Sequence, residues 1–147
     1  MKIQDMVGQT FICLSNCKLY TVSDMVKFKG DDNQWINILE YRPLYECDIQ
    51  KFFRSHKNFS SKFMEKSKFI KKYKKHISKA HEVLTKEYSE NNKKIKIDEN
   101  YIIKNIKCDV NTAKIVILRL HENNVLDEVK NNYFLSHSKL FFEKLFK

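Results

Sequence analysis

Cys13 and Cys17 are separated by three residues and, with Cys47 and His56, could in principle offer thiolate and imidazole ligands to a tetrahedral zinc ion. The spacing fits only loosely, because Cys13 and Cys17 flank an expected hairpin tip, where buried or half-buried thiols without metal are the commoner outcome. His56, His76, His81, His121 and His137 are scattered through lysine-rich or helix-surface contexts with no pair at metal spacing. A catalytic Cys–His couple would therefore need partners brought together from remote parts of the chain. Gly8 and Gly30, the only two glycines, exclude a glycine-rich phosphate loop, since a backbone that cradles phosphate needs closely spaced glycines. Asp31-Asp32 lies between the turn formers Gly30 and Asn33 and reads as a turn rather than a metal clamp. The expectation is a non-enzymatic protein with no metal and no small-molecule cofactor.

Charge carries more information than these scattered nucleophiles. The first 50 residues hold 5 basic and 7 acidic side chains, residues 51–75 hold 10 and 1, and residues 76–147 hold 13 and 10, so +9 of the net +10 lies in 25 residues. Lys51, Arg54, Lys57, Lys62, Lys66, Lys68, Lys71, Lys72, Lys74 and Lys75 are interleaved with Phe52, Phe53, Phe59, Phe63, Phe69 and Tyr73. Phe59, Phe63, Ile70 and Tyr73 fall near one helical stripe, with Ser60 or Ser61 as a cap, which predicts an amphipathic helix that docks by its apolar side and presents lysines outward. Such a surface suits phosphates; a plain solvated helix face and a membrane surface are the other readings.

Length and composition set the outer bounds. The 147 residues suffice for one ordinary domain or two small ones, and 42% hydrophobic with 31% charged residues is a globular balance. No apolar run approaches the roughly 20 residues that a bilayer requires, and Met1 to Asp5 lacks the apolar core of a secretion signal. A cytoplasmic chain with its four cysteines reduced is the expectation.

The elements that position the charge begin in the first 50 residues. Thr10–Leu14, Lys18–Val22, Met25–Phe28, Trp35–Tyr41 and Leu44–Cys47 are short β-rich runs separated by turn residues, and Asp48 to Phe53 reads as a short closing helix. This spacing is similar to SH3-like barrels. Farther along, His76 to Glu90 carries Ile77, Ala80, Val83, Leu84 and Tyr88 at three- and four-residue steps, predicting a helix. Ile95 and Ile97 alternate with Lys96 as a short strand. Asp98 to Lys107 is a second helical pattern with Ile102, Ile103 and Ile106 on one side. Asp109 caps a third, Val110 to Glu122, whose Ala113, Val116, Ile117 and Leu120 face a core. Asn123-Asn124 stops it; Val125–Val129, a reversal at Lys130-Asn131-Asn132, and Tyr133–Leu135 form a hairpin.

In this order of signals, Cys108, Asp109, Leu120, Asn124 and the Val125 to Leu135 hairpin stand where the winged helix-turn-helix family of nucleic-acid-binding domains has its turn, cap, recognition-helix end and wing. The chain resembles that family over about residues 76–136. The resemblance implies that the Val110–Glu122 helix is the recognition helix, with Val110, Asn111, Lys114, Ile115 and Leu118 outward and Arg119 at the rim. Asn111 suits an adenine edge and Lys114 a guanine or phosphate, whereas Val110, Ile115 and Leu118 make an unusually apolar outer side. Lys104, Lys107, Lys130 and Asn131 lie around the motif, and Lys71, Lys72, Lys74 and Lys75 adjoin it.

The expected architecture is thus α+β: a small antiparallel β-rich module over residues 1–55, a basic helical connector over 56–75, and a winged-helix domain over 76–147. In the last of these, Leu140, Phe141, Leu145 and Phe146 stripe a terminal helix, capped by Ser136 or Ser138, that docks on its own domain or across a twofold axis. The expected partner is double-stranded DNA, in a transcriptional regulator or replication accessory factor that forms a homodimer through the C-terminal helix or the N-terminal sheet. The alternatives are a protein-interaction adaptor or inhibitor with Ile115 and Leu118 in its interface, and an RNA-binding protein whose connector rings stack on unpaired bases.

Overall fold

A computed structural model of the chain describes residues 2–45, 50–91 and 95–135, of which 88–91 by backbone alone. The fold is α+β and divides into two compact units, Met1–Phe69 and Ile70–Lys147.

In the first unit a 3₁₀ turn (Ile3–Met6) precedes β1 (Thr10–Cys13), β2 (Leu19–Lys29), β3 (Trp35–Pro43), β4 (Phe52–Ser55), α1 (His56–Lys62) and β5 (Phe63–Glu65). The strands form one antiparallel sheet in the order β4-β3-β2-β1-β5. β4 and β5 are opposite edges, yet only the seven residues of α1 join them. A helix of that length spans about 10 Å, whereas four strand spacings of a flat sheet amount to about 19 Å. The sheet must therefore curl. Side chains confirm it: the rings of Tyr41 on β3 and Phe63 on β5 lie 5.1 Å apart, although β2 and β1 intervene.

Phe59, fully buried on α1, fills the concave side. Its ring stands 5.1 Å from Phe11, 5.1 Å from Tyr41 and stacks at 4.2 Å on Phe63. Met6, Cys13, Val22 and Leu39 complete this core. Ser55 starts α1 by accepting a hydrogen bond from the Asn58 amide at 3.3 Å.

Several expectations are corrected here. Lys18–Val22 and Met25–Phe28 are not two strands but one, β2, carried through a bulge between Val22 and Asp24 that absorbs the extra residue Ser23. Leu44 and Tyr45 form a bend rather than a strand, and the remainder of that run, with residues 46–49, lies outside the described residues. Phe52 and Phe53 belong to β4, not to a closing helix, because they pair with Tyr41 and Glu40 on β3. The basic segment 56–75 is not a single connector helix: Phe63 to Glu65 leave the helix to pair with β1, which covers an edge that carries the buried Ile12 and Cys13.

The second unit contains most of α2 (Lys66–Asn91), then β6 (Lys96–Ile97), α3 (Glu99–Ile106), α4 (Val110–Glu122), β7 (Leu126–Val129) and β8 (Asn132–Leu135). α2 runs without break through the end of the expected connector and the whole of the helix expected from His76, since no Gly or Pro interrupts it. Tyr73, Ile77, Ala80 and Leu84 form its buried stripe. Asp98 caps α3 by accepting from the Tyr101 amide at 2.9 Å, and Lys107, left-handed at φ 53°, ends it. Asp109 caps α4, and Asn124 at φ 59° turns the chain into β7. Lys130 and Asn131, at φ 49° and 61°, make the two-residue reversal that suits the twist of a hairpin. β6 pairs with β8, giving a three-stranded antiparallel sheet β6-β8-β7. The helix expected after Ser136 lies outside the described residues.

Phe59→Ala should cost about 3–5 kcal/mol, the usual loss for emptying a packed aromatic site. Urea unfolding followed by near-ultraviolet circular dichroism of the ring cluster measures it. A loss below about 1 kcal/mol would mean that some other group holds the sheet closed.

Candidate nucleic-acid interface

Seven lysines stand in the first half of α2, from Lys66 to Lys79, without one acidic residue; Glu82, Glu87 and Glu90 all come later. With 3.6 residues per turn, Lys71, Lys75 and Lys79 fall opposite the Tyr73–Leu84 stripe, and Lys72 and Lys74 flank them on either side. All five are exposed. The arrangement opposes the helix's own electrostatics. Its amino-terminal end carries the positive pole of the macrodipole, which favours carboxylates there, and lysines four residues apart repel each other. An anion bound along this face would relieve both penalties. Lys72 adds a local contact, its Nζ lying 5.2 Å from the centre of the Tyr73 ring.

On α4, Asn111 and Lys114 are exposed and Leu118 is half-buried. Two other expectations fail: Ile115 is 9% exposed and Arg119 8%, so neither lies on the outer side or the rim. Burial spreads over Thr112, Ala113, Ile115, Val116, Ile117, Arg119 and Leu120, a wider arc than a helix lying on one surface would show. What remains outward is Val110, Asn111 and Lys114, with Leu118 at the boundary. This face is less oily than the spacing implied.

Lys114, Leu118 and Asn131 do come together. They line a groove of about 490 Å³ with Lys96, Asp98, Glu99, Ile117, Asn132 and Tyr133, between α4, the start of α3 and the returning strand β8. Lys96, Asn132 and Tyr133 were missed as site residues. The one sequence signal for Lys96 was its place between Ile95 and Ile97, which sets it on the opposite face of the strand from its buried neighbour. Asn111, Lys104, Lys107 and Lys130 are exposed but do not line this groove. Lys71, Lys72, Lys74 and Lys75 belong to the separate surface of α2.

The groove's electrostatics are mixed. Residues 95–135 carry six basic and six acidic side chains, and the wall next to Lys114 includes the carboxylates of Asp98 and Glu99. On the hairpin, Glu128 Oε2 lies 3.7 Å from His121 Nε2, while His121 Nδ1 stands 3.1 Å from the Leu126 carbonyl. Burial, with Glu128 nearby, raises the Tyr133 phenol above its ordinary range, so it stays neutral. The Cys108 thiol is raised for the same first reason, with Asp109 adding to it, which leaves it a poor nucleophile.

Among the described residues, no three His, Cys, Asp or Glu side chains converge on a point that could hold a metal. Cys13 and Cys17 are buried, and the Cys17 amide donates to the Cys13 carbonyl at 2.8 Å to close a turn; Cys47 lies outside the described residues. Nor is any described helix long and apolar enough to cross a membrane.

The α4 cap has a pH consequence. The Thr112 amide and hydroxyl donate to the ionised Asp109 carboxylate at 2.9 and 2.8 Å, holding its pKa below the ordinary aspartate range. Because the folded value is depressed, the stabilisation is complete above the unfolded value of about 4 and disappears as pH falls through the lower, folded one. Thermal unfolding between neutral and acid pH should therefore show part of its acid loss abolished in Asp109→Ala. An unchanged acid profile would remove this cap from the stability of α4. Comparison of the chain with protein-family models, curated proteins and solved structures finds no match, so geometry and charge alone bear on its function.

Proposed function

We propose that the chain is a non-catalytic, cytoplasmic protein that binds double-stranded DNA, its lysine face on α2 gripping phosphates and α4 meeting the duplex. The observation that carries this reading is the run of seven lysines, free of acids, at the positive end of α2. Counterion release along a polyanion is the largest favourable term available to such a surface. The second unit is read as a winged helix: the order α2, β6, α3, α4, β7, β8, with β6 on the returning strand, supports it. In that frame Asn111 and Lys114 are the base-reading candidates, Lys130 and Asn131 sit at the wing tip, and Lys104 and Lys107 contact the backbone. The first unit is read as an SH3-like barrel, supported by its curl and by the short helix between its last two strands. A transcriptional regulator or a replication accessory factor would use these parts.

A second reading, a protein-interaction adaptor or inhibitor, is favoured by one observation. Residues 95–135 are electrically balanced, and the hairpin strand β7 exposes Asp127 and Glu128, which a phosphate backbone would repel. The burial of Ile115 removes half of the apolar pair first assigned to such an interface.

Gel shift and fluorescence anisotropy over a salt series separate the two. With about six phosphate contacts, affinity for duplex DNA should fall about a thousandfold between about 50 and 200 mM salt. Replacing Lys71, Lys72, Lys74 and Lys75 by alanine should flatten the log–log slope by about 3–4 and weaken all sequences alike. Asn111→Ala with Lys114→Ala should instead reduce the preference for a selected site over random DNA. No retardation of any duplex in dilute buffer would sink the DNA reading and leave the adaptor.

A further inference from the structure

The first unit exposes five large apolar side chains on its β2–β3–β4 portion, and the strand register decides which of them act together. Val26 is opposite Ile38, Phe28 opposite Ile36, and Phe53 opposite Glu40. Because side chains alternate along a strand, Val26, Phe28, Ile36, Ile38 and Phe53 share one face of the sheet, while Trp35 and the buried Leu39 lie on the other. Phe28 is 57% exposed, Phe53 59%, Val26 44% and Ile36 42%.

The same portion of the sheet outruns its neighbours. Pairing of β1 with β2 ends at Thr10 opposite Thr21, and pairing of β4 with β3 ends at Ser55 opposite Ile38. Among the described strands, Lys27–Lys29 and Trp35–Asn37 are therefore a two-stranded ribbon, which Val26 and Ile38 join to the rest of the sheet. Such a ribbon is marginal in water without something packed on it.

We propose that this outer face is a homodimer interface, in which two copies of the chain pack ribbon on ribbon across a twofold axis. Charge selects against the polyanion bound elsewhere on the chain. Residues 24–40 carry Lys27 and Lys29 against Asp24, Asp31, Asp32 and Glu40, so neither nucleic acid nor an anionic membrane is drawn to the ribbon. An exposed apolar strip of this kind can pack against its own copy under twofold symmetry, where the same patch serves both subunits.

Area favours the same occupant. At these exposures the shared face presents roughly 400 Å² of apolar side chain per copy, or about 800 Å² for a pair. Interfaces are a little over half apolar, so the pair would bury about 1,400 Å² in all, within the range of about 1,200–2,000 Å² typical of stable complexes. The rim is polar and carries both signs, with Glu40 Oε1 3.0 Å from Lys51 Nζ. The proposal does not depend on DNA binding and is tested without DNA.

Sedimentation equilibrium and light scattering on the full chain, from nanomolar to high-micromolar concentration, should show a monomer–dimer equilibrium. Phe28→Lys with Ile36→Lys, both at exposed positions, should weaken it by at least about a hundredfold with no change in the circular dichroism spectrum. Trp35→Ala, on the opposite face, should leave the dissociation constant within a few fold. A wild-type chain that stays monomeric overturns the proposal, and so does a doubly substituted chain that still dimerises. Should the double variant not fold, hydrogen exchange of the wild type decides. Amides of Val26–Phe28 and Ile36–Ile38 exchange more slowly in concentrated than in dilute protein if the ribbon is the interface, and equal exchange at both concentrations overturns it.

Discussion

Seven residues of helix must carry the chain from one edge of a five-stranded sheet to the other, and most of the first unit is arranged around that constraint. A flat sheet would leave the two edges too far apart, so the strands curl until Tyr41 and Phe63 meet over the concave side. Phe59 then occupies the only side of α1 that faces inward, against Phe11, Tyr41 and Phe63. Curling also separates two kinds of surface. Inner positions such as Leu39 and Val22 lose all contact with water, whereas outer positions of the same strands, such as Phe28 and Ile36, stay exposed. An outer apolar residue on this sheet is thus not a failed core residue. It faces a direction that no described element covers.

Charge is partitioned as sharply as burial. The region between Lys51 and Lys75 is strongly basic, the β2–β3 ribbon is mildly acidic, and residues 95–135 are neutral. Long-range attraction of a polyanion is a sum over charges within about a Debye length, about 8–10 Å at moderate salt, so clustered lysines count for more than the same number dispersed. This favours α2 over α4 as the main source of affinity. Under the proposed DNA reading, discrimination would then fall to the exposed polar groups of α4 and the hairpin. Phosphate contacts position and base contacts specify, and the proposed function assigns the two roles to different elements.

The second unit was the more legible of the two. Asp109 announced a helix start through cap chemistry, Asn124 announced a stop through its tolerance of the left-handed conformation, and Lys130-Asn131 turned where the hairpin needed positive φ. Each signal is local and acts within four residues. Misreadings came where a distant partner outweighed the local pattern. Phe63 lies on a helical stripe with Phe59, yet the unpaired edge of β1 drew it into a strand. Phe52 and Phe53 could sit in a short helix, yet β3 offered them backbone partners. Ile115 and Arg119 were assigned outward from a one-sided view of α4, and burial around a wider arc overruled it.

By itself the sequence determined where the two helices between Asp98 and Glu122 begin and end, that a lysine-rich stretch would be solvated, and that strands would dominate the first fifty residues. These follow from capping, turn chemistry and periodicity, which depend only on neighbours along the chain. Tertiary structure alone decided which strands pair, that the basic segment is split by β5, that Lys114, Leu118 and Asn131 share a groove with Asp98 and Glu99, and that five outer apolar residues line up as one face. Those outcomes depend on contacts between residues far apart in sequence, whose free energies a local pattern does not contain.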